Sequence, residues 1–296
     1  MKAQTITGAT RLVALVGNPV AHSLSPLIHN HVYAELGLSL VYVPIAVTPE
    51  NLHTAMMALR ACKFTGANVT IPHKQAVLPY CDTLSPLSKL TGAVNTIYFK
   101  DSILNGTTTD WEGFRRALQA TGHNPSGGNV VILGNGGAAR TIAFGFASEK
   151  IPARLTVAGR DGAKAKRLAN EIEIGTGFPA DCAELSSDAF ARRMREGTLC
   201  INCTSVGMHP DADASPLDKR HLHKGITVFD TVYNPGQTLL CRHAEAAGCA
   251  WSGGLRMLVY QALASIEYWT GRSVAADSID FTELAAVLQK VDRGRK

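Results

Sequence analysis

A chain of 296 residues, 46% hydrophobic and 18% charged, has the composition of a globular protein and the length of about two domains. Its 29 basic and 24 acidic residues leave a net charge of +5, with no Lys/Arg cluster dense enough to predict nucleic-acid binding. No uncharged apolar run is long enough to span a bilayer and the N-terminus lacks a signal-peptide pattern, so a cytoplasmic protein with no membrane partner is expected.

From Leu12 onward the pattern alternates strand and helix. A strand over 12–16 ends at Gly17, a helix over 26–36 stops at Gly37, and 40–47 alternates as a strand. Thr48 is placed to cap a helix with Pro49 at its first position, where a missing N–H costs nothing. A strand over 66–71, a helix opening at Pro72 and a strand over 92–99 follow. The segment 111–121 reads as helical, and GHNPSGG after it as a loop. A second alternation starts at Asn129, with strands at 129–134, 154–158, 198–204, 226–232 and 249–252. Its helices are expected at 137–149, 161–173, 186–196 and 238–247, and the C-terminal part is helical over 255–270 and 281–291. Strands alternating with single helices predict an α/β fold with mostly parallel sheets covered on both faces. Two α/β domains around a cleft are expected: 1–110, completed by the C-terminal helices of 255–296, and 111–254, a Rossmann-type dinucleotide-binding domain.

The second domain opens on VVILGNGGAAR, residues 130–140. Gly134, Gly136 and Ala139 fit G-x-G-x-x-G/A after a strand and before a helix. Gly134 permits the tight turn, Gly136 lets the backbone approach a pyrophosphate, and the helix N-terminus offers N–H groups to the phosphates. After the next strand come Arg160, Lys164, Lys166 and Arg167. An arginine at this strand end tolerates a 2′-phosphate and favours NADP, whereas Asp161 beside it argues for NAD, and a solvated basic helix face would look the same.

Elsewhere the chemistry-bearing residues are scattered. Ser23 and Ser25 lie in the turn after the first strand, where Ser25 could cap the helix; two hydroxyls there would also suit a small carboxylate. Lys74 is placed just inside the helix expected at Pro72. The helix dipole and any burial would there ease loss of its proton, although a solvated lysine is the plain alternative. Asp110 follows Thr109, which with Glu112 spells a capping box, so the dipole alone could account for it. Asn95, inside a strand, would be a costly buried amide unless it is hydrogen-bonded. Seven cysteines do not look like a disulfide framework, and Cys200 and Cys203, inside an apolar strand, read as buried thiols. The pairs His29/His31 and His221/His223 lack a nearby third ligand, so no metal is expected.

In motif order the chain resembles the shikimate dehydrogenases over nearly its full length. GNPVAHSLSP, NVTIPHK, GAVNT, TTTDWEG, GNGGAAR, NCTSVGM, DTVYNPGQTLL and GGLRMLVYQA all look like segments of that family. The resemblance implies NADP-linked interconversion of 3-dehydroshikimate and shikimate. It implies that Lys74 is the catalytic lysine, with Asp110 as its partner on the substrate hydroxyls. Ser23 and Ser25 would hold the substrate carboxylate, and Thr70, Asn95, Tyr233 and Gln261 would complete the pocket. Gly134, Asn135, Gly136, Gly137 and Ala138 would bind the pyrophosphate, and Arg160 and Lys164 the 2′-phosphate. Thr204, Ser205, Met208, Thr231 and Gly254 would lie near the nicotinamide. Where the family usually reads Asn-Arg-Thr this chain has Gly159, Arg160 and Asp161, which should weaken 2′-phosphate binding and allow NAD as well. Quinate is an alternative substrate, because one extra hydroxyl is hard to reject. A silent ligand-sensing relative is the non-enzyme alternative, against which the pair Lys74 and Asp110 speaks. The expected assembly is a monomer or a homodimer.

Overall fold

The two alternations build two separate sheets. The structure, a computed structural model, describes residues 5–275 together with Ile279 and Leu284. Apart from Leu284, the predicted helix over 281–291 lies outside the described residues. The chain divides into a first unit of Met1–Thr109 with Ala262–Lys296 and a second of Asp110–Gln261.

In the first unit, β1 (Arg11–Gly17) buries its last five residues, a pattern that suits a strand flanked on both sides and covered on both faces. β2 (Leu40–Ala46) and β3 (Gly66–Val69) flank it in parallel, with Val13 opposite both Tyr42 and Gly66. α1 (Ser25–Glu35) and α2 (Leu52–Ala61) form the crossovers. A short 3-10 turn, Pro49–Asn51, precedes α2. The Thr48 hydroxyl accepts the Asn51 amide at 3.1 Å rather than capping a backbone N–H.

Beyond β3 the fold departs from the expected pattern. No helix opens at Pro72: residues 71–77 run through turns, followed by a 3-10 turn at Leu78–Tyr80. A second proline, Pro79, lies seven residues on, where it has no N–H for the bond that would continue an α-helix. The strand expected over 92–99 starts later. β4 (Thr83–Leu84) and α3 (Pro86–Thr91) come first, and Gly92 ends α3 in the left-handed region at φ +63°. β5 (Thr96–Lys100) then turns back into β6 (Ile103–Thr107), antiparallel to both β3 and β6. The sheet order is β2-β1-β3-β5-β6-β4, mixed rather than wholly parallel. Ala14, Val16, Ala67, Val69 and Ile97 pack with Met56 and Leu59 into one core.

The second unit follows the expected alternation closely. It opens with α4 (Asp110–Gln119), then β7 (Asn129–Leu133), α5 (Gly137–Ser148), β8 (Arg154–Gly159) and α6 (Gly162–Thr176). β9 (Ala180–Glu184), α7 (Asp188–Glu196), β10 (Leu199–Asn202), β11 (Thr227–Asp230), α8 (Leu239–Ala246) and β12 (Trp251–Ser252) complete it. α9 (Leu255–Thr270) carries the chain across the boundary at Gln261. Every pairing in the order β12-β11-β10-β7-β8-β9 is parallel. β9 falls outside the expected elements, because ADCAE is a half-exposed edge strand without an apolar run. Trp111 and Phe114 of α4 pack edge-on against Phe146 of α5, with centroids 5.0 and 5.6 Å apart. A methyl group on Gly145 would collide with the Trp111 indole, so that glycine sets the approach of the two helices.

Candidate active site

In the second unit the turn between β7 and α5 has the form its glycines dictate. Gly134 sits at φ +108°, where a side chain is strained, and a Cβ there would also press to 3.1 Å from the Thr204 methyl. Open space lies where side chains on Gly136 or Gly137 would project, so the backbone N–H groups opening α5 can be approached by a phosphate. Asn135 belongs to the same turn, Ala138 to the first turn of α5, and Ala139 beside it is fully buried. These features fit a dinucleotide pyrophosphate.

At the end of the neighbouring strand β8, Arg160 is exposed and makes no ion pair among the described residues. Asp161 serves the helix beside it, its carboxylate capping α6 by accepting the Lys164 N–H at 3.0 Å. That bond above all, together with the Lys164 ammonium 3.6 Å away, holds its pKa below the usual carboxylate value. A permanent negative charge therefore stands between Arg160 and Lys164, as the departure from Asn-Arg-Thr suggested.

The other end of the same sheet edge carries the remaining cofactor candidates. Thr204, Ser205 and Met208 follow β10, and Met208 is exposed. Thr231 follows β11, and Gly254 lies so close to the Thr231 carbonyl that a Cβ would overlap it. Tyr233 is half-buried in the same loop. Gln261 donates to the Leu258 carbonyl at 2.9 Å, and its backbone abuts Gly113 of α4. Asp110 is the first residue of α4. The expected capping box is not formed. Glu112 pairs with Arg115 and Arg116, and the Thr109 N–H goes to Asn95 Oδ1 at 2.9 Å.

In the first unit the substrate candidates gather at the carboxyl ends of β1 and β3, where ligands of open α/β sheets bind. The Asn18 N–H donates to the Ile71 carbonyl, joining the loops that carry Ser23 and Thr70, and the Val94 N–H donates to the Lys74 carbonyl. Ser25 is the first helical residue rather than the cap, and Ser23 Oγ accepts its N–H at 3.2 Å. Lys74, half-buried, sits in a turn rather than in the first turn of a helix. Neighbouring His73 is fixed by a 2.6 Å contact to the Val47 carbonyl.

Asn95 is 4% exposed and hydrogen-bonded through both atoms of its amide. Its Nδ2 donates to Thr109 Oγ1, and its Oδ1 accepts from Thr96 Oγ1 and the Thr109 N–H. Below it stands Asn68, which is not among the residues singled out from sequence. Asn68 Oδ1 accepts the Tyr42 hydroxyl, and Nδ2 reaches the Asn95 carbonyl, Thr96 Oγ1 and Ser265 Oγ. Asn202 and Asp230 are further such residues. All three are polar residues within or closing otherwise apolar strands (GANV, LCIN, TVFD), a signal visible in the sequence. Cys200 is buried among apolar side chains, and desolvation pushes its thiol up to about 12, as suits an inert thiol.

A wholly parallel sheet with a glycine turn between β7 and α5 is the architecture of a dinucleotide-binding α/β protein. A shikimate dehydrogenase (NADP(+)) of Moorella thermoacetica is 42% identical over 276 residues, 93% of each chain. The chain belongs to the shikimate dehydrogenase family. Residues 15–97 match the shikimate dehydrogenase substrate binding domain, and 254–279 the shikimate 5′-dehydrogenase C-terminal domain. Shikimate 5-dehydrogenase from Listeria monocytogenes, solved in complex with shikimate and NAD, matches with a TM-score of 0.87 at 33% identity, over 93% of this chain and 97% of that one. A 5-ketofructose reductase from Gluconobacter, in ligand-free form, matches with a TM-score of 0.84 at 31% identity, over 92% and 97%.

Proposed function

We propose that the protein catalyses the reversible NADP-dependent reduction of 3-dehydroshikimate to shikimate, with the second unit holding the cofactor and the first carrying most substrate contacts. The observation that carries this reading is the Gly134 turn with Arg160 at the end of the adjacent strand, in a chain 42% identical to an NADP(+) shikimate dehydrogenase over 93% of its length. When bound, NADPH supplies a hydride to the ring carbonyl carbon. Lys74 holds a proton at the carbonyl oxygen, releases it as the alcohol forms, and takes it back in the oxidative direction. Asp110 orients that ammonium and the neighbouring substrate hydroxyl. The hydroxyls of Ser23 and Ser25 bind the ring carboxylate, and Thr70, Asn95, Tyr233 and Gln261 complete its recognition. The seven free thiols suit a reducing compartment such as the cytoplasm, and a monomer or homodimer is the expected assembly.

Dual cofactor use is the second reading, and a specific observation favours it. Gly159 and a charged Asp161 flank Arg160, so the 2′-phosphate meets repulsion as well as attraction. The likeness to a 5-ketofructose reductase is a reminder that fold alone does not select the substrate. Both questions are answered by following cofactor reduction at each combination of shikimate or quinate with NADP⁺ or NAD⁺. The highest kcat/KM is expected for shikimate with NADP⁺. No turnover in any of the combinations would leave a silent ligand-binding relative as the reading.

A further inference from the structure

We propose that Asp230 is a positioning residue for the nicotinamide half of the cofactor, acting through the two loops it pins together rather than by touching the cofactor; this rests on the cofactor role of the second unit. Asp230 closes β11 and Asn202 closes β10, and the two are register partners, both fully buried. Asp230 Oδ1 accepts Asn202 Nδ2 at 2.9 Å and the Val232 N–H at 3.0 Å. Its Oδ2 accepts the Thr238 hydroxyl at 2.6 Å. Each of these partners is the root of a loop.

Asn202 Oδ1 accepts both the N–H (3.0 Å) and the hydroxyl (2.7 Å) of Thr204, and Thr204 Oγ1 in turn accepts the Val206 N–H. Val232 follows Thr231, and its carbonyl accepts the Gly254 N–H at 3.0 Å. Thr238 caps α8 by accepting the Cys241 N–H. One carboxylate thus ties residues 203–206 to residues 231–238 and, through them, to Gly254. Residues 203 and 204 also close over Gly134, so the same set of bonds borders the turn read as the pyrophosphate site.

Cohesion alone is a poor account of this group. Desolvation pushes the Asp230 carboxyl pKa up even though three donors surround it, so the ionised form is a burden on stability. An uncharged group of similar shape would hold the core as well. What the carboxylate supplies is three acceptor directions from one point, which fixes the loops relative to each other.

The test uses the full chain with Asp230→Ala, Asp230→Asn and Thr238→Val, measured against two ligands. Adenosine 2′,5′-bisphosphate carries the adenosine half alone, and NADP⁺ carries both halves. For Asp230→Ala, binding of the bisphosphate stays within about twofold of wild type, while kcat/KM for NADP⁺ falls about tenfold or more, most of it in kcat. Asparagine keeps Oδ1 for Asn202 and Val232 and can donate to Thr238, so Asp230→Asn recovers to within about threefold. Thr238→Val, the isosteric loss of one bond, reports the same split at smaller size if the alanine variant does not fold. Equal loss of bisphosphate binding, unchanged kcat in both Asp230→Ala and Thr238→Val, or a folded Asp230→Asn no better than alanine would overturn the assignment. A wild-type protein that binds neither ligand would instead overturn the cofactor role itself.

Discussion

Lys74 takes its place from a turn whose carbonyl is tied to Val94 and whose neighbour His73 is clamped on Val47. Backbone bonds, not membership of a helix, fix the turn that carries the proposed proton donor. Removing the side chain in Lys74→Ala is expected to lower kcat by about 10²–10⁴-fold, the usual worth of a positioned proton donor. The Kd for NADP⁺, read by fluorescence titration, should stay as in wild type. A variant with near-normal turnover would take the lysine out of the chemistry. Arg160 makes a separate prediction. Exposed and without an ion-pair partner among the described residues, it should contribute about three- to tenfold to the KM for NADP⁺ and nothing to that for NAD⁺, and Arg160→Ala kinetics with both cofactors measure this. Asp161→Asn keeps the α6 cap while removing the charge, so its KM for NADP⁺ should move the other way.

Among the elements, α4 and α5 show how much a single missing side chain can decide. Gly145→Ala drives a methyl group into the Trp111 ring, which is also held by its 2.6 Å bond to Glu149. Overpacking of this kind costs about 1–3 kcal/mol. Urea unfolding should show a lower midpoint, and an unchanged midpoint would mean the helices slide apart freely. The second unit, β9 apart, is legible in sequence because its strands are apolar runs separated by helices, three of them with visible caps at Asp161, Ser187 and Thr238. The stretch from Pro72 to Thr107 is not. Pro72 suggests a helix start that Pro79 could not let continue, and β6 is a short strand carrying Asn105 and Gly106, which on their own look like a turn. The candidate site is legible where a residue type is required by its place, as with Gly134 in the β7–α5 turn. It is opaque where a polar side chain such as Asn68 works only by supporting others. Its partners come from β2, β5 and α9, separations that no local pattern reports.

At the scale of the molecule, the first unit carries its own acid sensitivity. His29 is fully buried, its ring stacked on Tyr42 at 4.1 Å and tilted against Trp269 at 5.3 Å. Burial drives its pKa down to about 3, with the Asn68 side chain pulling weakly the other way. The unfolded chain takes up this proton below about pH 6.5 and the folded chain does not. The stability from keeping His29 neutral is therefore complete above that pH and is lost as pH falls toward 3, by at most about 1.4 kcal/mol per unit. Thermal melts at pH 7 and pH 5 should separate less in His29→Phe than in wild type, and an equal separation would show that other groups set the slope.

The division of the chain also has a consequence for its birth on the ribosome. The first unit is left at Thr109 and resumed only at Ala262, and the late segment brings Ser265 to Asn68 and the Trp269 indole to the Ile97 carbonyl and Gly66. A nascent chain halted after the second unit would hold a sheet whose buried amide and imidazole still await their cover. Synthesis therefore finishes the earliest-made part last, and a premature stop just after Gln261 would leave the first unit, not the second, short of its chain.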